Sequence, residues 1–214
     1  MGVAAETVAG GWALWFTGLP GCGKSTIARA VHAALASQGW DVDMLIMDER
    51  RKHYFHTPAY SAEERARAYE LFAHEAAELV AQGRGVILDA TAHRLAMRER
   101  AREMIPRFAE ALVRCPLAEA MRREALRGQA HHKAYVVPGM YQKALERLHS
   151  GVAVPGLGDV VGVDVDYEEN PLAECVLDAL RPVEENTRRV LAFLEAWLPG
   201  QLPGGIPAAQ GGPA

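Results

Sequence analysis

The chain has 214 residues, of which half are apolar, and its 23 Lys and Arg against 27 Asp and Glu give a net charge of −4. This length suits one ordinary α/β domain, and the composition excludes wholesale disorder and fibrous repeats. The acidic excess argues against binding a polynucleotide through bulk positive charge. The three cysteines are far apart and form no CxxC pair, so they indicate neither a disulfide framework nor a zinc site.

Targeting signals are missing from the sequence pattern. The first eleven residues have neither the basic start nor the long apolar core of a secretory signal. No apolar run approaches the roughly 20 residues that a membrane helix needs. We therefore expect a cytoplasmic protein with no membrane partner.

Apolar runs and amphipathic segments alternate along the chain. They predict strands at 12–17, 43–47, 85–90, 109–114 and 175–178, and helices at 25–37, 61–82, 95–104, 117–126 and 183–198. Ser61 and Glu64 form a capping-box pattern at the start of the second helix. In the first strand, Trp12 and Trp15 are expected to face the core from one side. Strands separated by helices of ten or more residues imply a parallel sheet covered on both faces.

The domain organisation follows from composition. Residues 1–199 are predicted to form a single domain, followed by a flexible Gly/Pro-rich tail at 200–214. The stretch from about 128 to 162 lacks clear periodicity, is rich in Gly, Val and Pro, and follows an arginine cluster. We expect it to be a mobile lid over the site.

A phosphate-binding loop follows the first predicted strand. Residues 18–25 read G-L-P-G-C-G-K-S and fit G-x-x-x-x-G-K-[ST] at every fixed position. Glycines let successive backbone N–H groups turn around phosphate oxygens, and the helix N-terminus adds positive potential. We expect Lys24 to act in catalysis at the β- and γ-phosphates and Ser25 to ligate Mg²⁺. The predicted nucleotide-binding residues are Gly18, Leu19, Pro20, Gly21, Cys22, Gly23, Lys24, Ser25 and Thr26.

The loop predicts a three-layer P-loop NTPase fold that uses ATP and Mg²⁺. The N-K-x-D guanine motif and a D-x-x-G switch after the third strand are both missing from the sequence. A small chain with an arginine-rich segment before its last strand is typical of a small-molecule kinase, in which a lid excludes water and arginines neutralise the phosphoryl group.

The sequence resembles the adenylylsulfate (APS) kinases, which transfer the ATP γ-phosphate to the 3′-hydroxyl of adenosine 5′-phosphosulfate. The opening G-L-P-G-C-G-K-S-T-I-A looks like the start of that family. Further segments resemble family motifs in the same order from Trp12 to Ala179: Tyr60 to Arg65 (F-S-x-x-x-R), Thr91 to Arg94 with Met97 to Arg102 (S-P-x-R…R-x-R), Pro116 to Gly128 (P-L…R-D…K-G) and Val163 to Pro171 (Y-E-x-P-x-x-P).

The resemblance has two departures. The family pattern D-G-D-x-x-R aligns with Ile46 to Arg51, so the second acid and the arginine are kept while Ile46 replaces the first acid. The family's F-T-G lid segment aligns with Val137 to Tyr141 without a residue-for-residue match. Leu88 to Thr91 also resembles the strand end of gluconate-kinase-like and polynucleotide-kinase-like enzymes. A kinase for another hydroxylated or nucleotide-linked metabolite, and a nucleotide-binding regulator without turnover, therefore stay open.

Four further residues have predicted roles, each with an alternative. Asp48 is expected to accept or orient the proton of the acceptor hydroxyl, or else to cap a helix. Asp89 is expected to bind Mg²⁺, or else to be a structural strand-end acceptor. Arg51 and Arg94 are expected to bind an anionic substrate, with exposed basic runs as the alternative. The partner is thus a small anionic hydroxyl compound such as APS, and a homodimer is left open.

Overall fold

The computed structural model describes residues 10–58, 60–130 and 137–199. Residues 131–136 of the expected lid and the expected tail at 200–214 lie outside these residues. The five strands are β1 (Trp12–Thr17), β2 (Val42–Ile46), β3 (Gly85–Asp89), β4 (Phe108–Arg114) and β5 (Cys175–Asp178). The seven helices in the described part are α1 (Lys24–Ser37), α2 (Met47–Tyr54), α3 (Ala62–Ala81), α4 (Leu95–Met104), α5 (Leu117–Ala130), α6 (Met140–Ser150) and α7 (Val183–Trp197).

The strands form one parallel sheet in the order β2-β3-β1-β4-β5. The predicted three-layer α/β architecture is therefore confirmed. β1 lies at the centre, because its neighbours are β3 on one side and β4 on the other. In an open parallel sheet, ligands bind beyond the carboxyl ends of the strands, where the loops after β1, β2 and β3 meet.

Two apolar cores lie on opposite faces of the sheet. On one face, Leu14 and Phe16 of β1 pack with α1 and α7. On the other face, Trp15 packs with α3 and α4, and its ring contacts Phe72 at 5.5 Å between centroids. Trp12 belongs to the first core, so the prediction that both tryptophans share a face is wrong. Their separation of three residues is odd, and successive side chains of a strand alternate between its faces.

Two helices are additional to the predicted elements. α2 follows β2 directly and carries six polar or charged side chains in its eight residues, so it has no apolar stripe. α6 lies inside the segment expected to be irregular. It begins after Gly139 and ends before Gly151, both in the left-handed conformation. Its buried Tyr141 and Ala144 pack against α5 in a third, smaller core.

Candidate active site

A cleft of about 560 Å³ opens at the carboxyl edge of the sheet. The phosphate loop and the first turn of α1 form one side of it, through Pro20, Gly21, Lys24, Ser25 and Thr26. The rest of the lining comes from α2, α3, the segment after β3 and the segment from Gly156 to Val161, with further residues from α5 and the start of α6. The cleft therefore brings the predicted phosphate site together with residues from distant parts of the chain.

The phosphate loop adopts the backbone that its glycines allow. Gly18 has φ 141° and Gly21 has φ 81°, both in the region that side-chain-bearing residues avoid. A Cβ at Gly18 would lie 2.5 Å from the Val113 carbonyl oxygen, and one at Gly21 would lie 2.6 Å from that of Ala120. The loop then opens directly into α1, whose first turn leaves backbone N–H groups for phosphate oxygens.

Side chains of α5 and α6 hold this loop from behind. Arg123 donates to the carbonyl of Cys22 at 3.1 Å, and the Tyr141 hydroxyl donates to that of Pro20 at 2.9 Å. Cys22 is itself fully buried, and this burial raises the pKa of its thiol although Lys24 acts in the opposite direction. A buried thiol with a raised pKa is a packing residue rather than a nucleophile.

Asp89 lies at the carboxyl end of β3 beside the phosphate loop, because β3 pairs with β1 up to Phe16. Its side chain is buried, and one carboxylate oxygen, Oδ1, has no hydrogen-bond partner within the described ranges. A buried carboxylate oxygen without a partner is costly unless a cation or water satisfies it. The predicted magnesium pair of Ser25 and Asp89 therefore fits the ion. Since no three His, Cys, Asp or Glu side chains of the described residues converge on one point, phosphate oxygens and water would supply the remaining ligands.

Asp48 lies in the first turn of α2, two residues after the end of β2, and faces the cleft. Its side chain is open to the solvent of the cleft, yet the surrounding walls reduce its hydration. This desolvation raises the pKa of the Asp48 carboxyl; Lys24 counteracts the effect and Asp89 adds to it. Asp48, Lys24 and Asp89 therefore interact electrostatically. The cap residue of α2 is Ile46, so Asp48 is not the helix cap that was its alternative role.

Arg51 is buried and lines the cleft on the side opposite the phosphate loop. Its guanidinium lies 5.1 Å from the centre of the Tyr60 ring and pairs with Glu64 at 3.3 Å. The Tyr60 N–H also donates to the Glu64 carboxylate. The Ser61 hydroxyl accepts from the Glu64 N–H and so caps α3, as the capping-box pattern predicts. A planar cation stacked on an aromatic ring beside the phosphate site suits a ligand that carries both an anion and a base.

Arg94 does not have the position expected of it. It is exposed before the first residue of α4 and is not among the residues that line the cleft. The lining of the cleft also includes side chains that were given no role from the sequence, among them Arg65 and His93. Arg65 was visible in the family-like segment from Tyr60, whereas no residue pattern marked His93.

A chain of polar contacts joins the carboxyl end of β1 to Thr91 of the cleft and to Tyr167. The Thr17 hydroxyl donates to the carbonyl of Thr91 at 2.6 Å and lies 2.8 Å from the Tyr167 hydroxyl. Since Thr17 has one hydroxyl proton, Tyr167 is the donor in the second bond. The ring of Tyr167 packs against the guanidinium of buried Arg98, which pairs with buried Glu110 at 3.1 Å.

Comparison with known proteins agrees with these features. The adenylylsulphate kinase family model matches residues 10–178. A probable adenylyl-sulfate kinase of Archaeoglobus fulgidus is 32% identical over 165 residues, which cover 77% of this chain and 94% of that protein. An adenylyl-sulfate kinase of Myxococcus xanthus is 36% identical over 183 residues, which cover 80% of this chain and 91% of the Myxococcus protein.

Solved structures give the same result. The APS kinase CysC of Mycobacterium tuberculosis, in complex with AMPPNP and APS, superposes with a TM-score of 0.71 at 26% identity. The superposition covers 86% of this chain and 98% of the CysC chain. A gluconokinase of Sinorhizobium meliloti reaches a TM-score of 0.55 at 17% identity over 87% of this chain and 93% of its own, which shows a shared fold alone. The family model covers most of the chain, and the phosphate-loop motif and the parallel sheet order agree with it. The chain therefore belongs to the adenylylsulphate kinase family.

Proposed function

We propose that the protein is an adenylyl-sulfate kinase that transfers the γ-phosphate of ATP to the 3′-hydroxyl of adenosine 5′-phosphosulfate. The observation that carries this proposal is the placement of Asp48 and the Arg51–Tyr60 stack in the same cleft as the phosphate loop. An acid for the hydroxyl proton, a platform for a base and a cation for the acidic group thus face the phosphate site. Family membership and the likeness to CysC support the same substrate pair.

Each part of the site has a separate role in the proposed phosphoryl transfer. The phosphate loop binds and orients the triphosphate, and Lys24 balances the charge that develops on the transferred group. Asp48 orients the acceptor hydroxyl and takes its proton, for which its raised pKa is suited. Bound magnesium, held by Ser25 and Asp89, would supply charge neutralisation at the phosphates. Arg51 and Arg65 would hold the anionic end of the acceptor.

The segment from residue 137 to 162 is proposed as the closing element of the site. Its Gly156–Val161 portion lines the cleft. It is fastened to α3 by Arg65, which donates to the Asp159 carbonyl at 2.8 Å, and is braced internally by Arg147 of α6, which donates to the Leu157 carbonyl at 2.9 Å. Hydrogen exchange with and without an ATP analogue and APS tests this lid. We expect added protection here with both ligands, and equal protection in both states would contradict the proposal.

Two broader features also remain proposals. The exposed apolar side chains Leu145 and Leu148 on α6 support a homodimer, which light scattering on the purified protein would test. No helix of the described residues is long and apolar enough to span a membrane. We propose that the protein acts in the cytoplasm, where ATP is supplied, and fractionation of cells would test that location.

An acceptor panel tests the substrate directly. ADP release from ATP and Mg²⁺ is measured with APS, gluconate and a 5′-hydroxyl oligonucleotide, each against a reaction without acceptor. We expect release that depends on APS, with 3′-phosphorylated product identified by mass spectrometry. Release with another acceptor would replace the named substrate. ATP binding without release on any acceptor would favour a regulator.

A further inference from the structure

His93 is a buried residue of the cleft for which the mechanism above has no role. It follows β3, lines the acceptor side, and is 6% exposed. Its ring makes no hydrogen bond to any residue within the described ranges. Neither ring nitrogen of His93 is among the buried side-chain atoms that lack a partner, so the ring meets the solvent of the cleft, where a polar group of a ligand can replace water.

The backbone around His93 is fixed in an unusual conformation. Ala92 has φ 39°, in the left-handed region where a residue with a Cβ is strained. The Ala92 N–H donates to the Tyr69 hydroxyl at 2.8 Å, and its carbonyl accepts from Arg98. The His93 carbonyl accepts from the Glu168 N–H at 2.8 Å. Three elements thus hold a strained peptide that turns His93 to the cleft, and such strain is concentrated at functional sites.

The surroundings keep the ring uncharged. Burial, and then the charges of Arg65 and Arg94, lower the pKa of His93 to about 4, while Glu168 and Asp159 act in the opposite direction. Around neutral pH the imidazole therefore has one N–H donor and one nitrogen acceptor. It is a poor partner for an anion and a good partner for a neutral polar group.

We propose that His93 is a specificity-determining residue of the acceptor subsite, where its ring hydrogen-bonds the nucleoside portion of the acceptor. The inference rests on the proposed function for the identity of that acceptor. The anionic end of APS has Arg51 and Arg65 available in the same cleft, which leaves the uncharged base or ribose for His93. A site that hydrogen-bonds a substrate group discriminates against analogues that lack it, because its own buried polar atom is then unpaired.

Steady-state kinetics on four variants test the assignment, with ATP and APS varied separately. His93→Ala removes the ring, His93→Gln keeps a donor and an acceptor, and His93→Phe keeps an aromatic ring without nitrogens. His74→Ala is the matched control, because His74 is an exposed histidine on α3. We expect His93→Ala to raise the KM for APS about tenfold, the range for one lost hydrogen bond, while the KM for ATP stays within about twofold.

The remaining variants separate recognition from packing. His93→Gln should recover much of the affinity for APS, and His93→Phe should not. Rescue by Phe rather than Gln, or an unchanged KM for APS in His93→Ala, would overturn the inference and leave the proposed function standing. A wild-type protein that does not phosphorylate APS would overturn the proposed function first, and this inference with it.

Discussion

The two sides of the cleft are built in different ways. The nucleotide side is one continuous loop whose backbone conformation, set by Gly18 and Gly21, performs the binding. The acceptor side is assembled from side chains of α2, α3, the segment after β3 and the segment from Gly156 to Val161. Under the proposed function, phosphate binding would depend on main-chain shape, whereas acceptor choice would depend on individual side chains that can change one at a time.

The largest effect is expected at Lys24, the lysine of the phosphate-loop motif, which lines the cleft. Lys24→Ala should lower kcat by about a thousandfold, in the range for a lost electrostatic stabiliser of the transition state. The fold should persist, because Lys24 lies at the surface of the cleft. Coupled ADP release and thermal melting measure both quantities. Lys52→Ala, at an exposed lysine of α2, is the control, and near-normal turnover in Lys24→Ala would contradict the phosphate-loop assignment.

The next largest effect is expected on the acceptor side, at the carboxylate of Asp48. Asp48→Asn should lower kcat by about a hundredfold, because the hydroxyl loses its proton acceptor. The KM for ATP should be nearly unchanged, since the backbone loop is intact. Asp41→Asn provides a matched substitution at an exposed carboxylate before β2. A loss of ATP affinity equal to the loss of kcat would show that the two sides are not separable.

Asp89 is buried at the carboxyl end of β3, next to β1 and the phosphate loop, and its variant tests the predicted role in binding magnesium. Asp89→Asn should raise the Mg²⁺ concentration needed for half-maximal rate by about tenfold, as expected when a carboxylate of a metal site is lost. Titration of activity with Mg²⁺ at saturating ATP measures it. If Asp89→Asn abolishes kcat and Asp48→Asn changes the magnesium requirement, the site resembles the gluconate- and polynucleotide-kinase type, and APS should be abandoned as substrate.

The smallest effect concerns stability on the acceptor side. The pKa of His93 is about 4 in the folded protein, below the unfolded value, so folding is favoured above the unfolded pKa and this contribution is lost as the pH falls towards 4. From pH 7 to pH 5, the wild type should lose about 1 kcal/mol more stability than His93→Gln, allowing for solvent screening. Urea unfolding at the two pH values measures the difference, and parallel losses would contradict the placement of His93.

The sequence was sufficient to predict the strands and a glycine-dependent loop after β1, because each depends on residues that are close together in the chain. Gly18 to Ser25 form one contiguous motif, and each strand is an apolar run between turns. α2 was missed because its polar residues lack periodicity, and α6 because two flanking glycines made its surroundings look irregular. A role for Arg94 was predicted because it lies near the carboxyl edge of the sheet, but its position just before α4 leaves it exposed.

His93 could not have been found from its neighbours in the chain. The direction of its side chain depends on the positive φ of Ala92, and an alanine in a sequence does not predict that conformation. The contacts that impose it come from Tyr69, Arg98 and Glu168, which lie on separate elements. Side-chain sites assembled in this way become visible only once the tertiary contacts are known.

The bond between Thr17 and Tyr167 joins residues 150 positions apart. β1 and the phosphate loop are among the first parts of the chain to be synthesised, but the hydroxyl at the end of β1 is bonded by a residue from much later in the domain. Because closing so long a loop is slow, we expect nucleotide affinity to develop late in folding. A nascent chain synthesised only as far as residue 166 would contain the whole phosphate-loop sequence but would lack the bond between Thr17 and Tyr167.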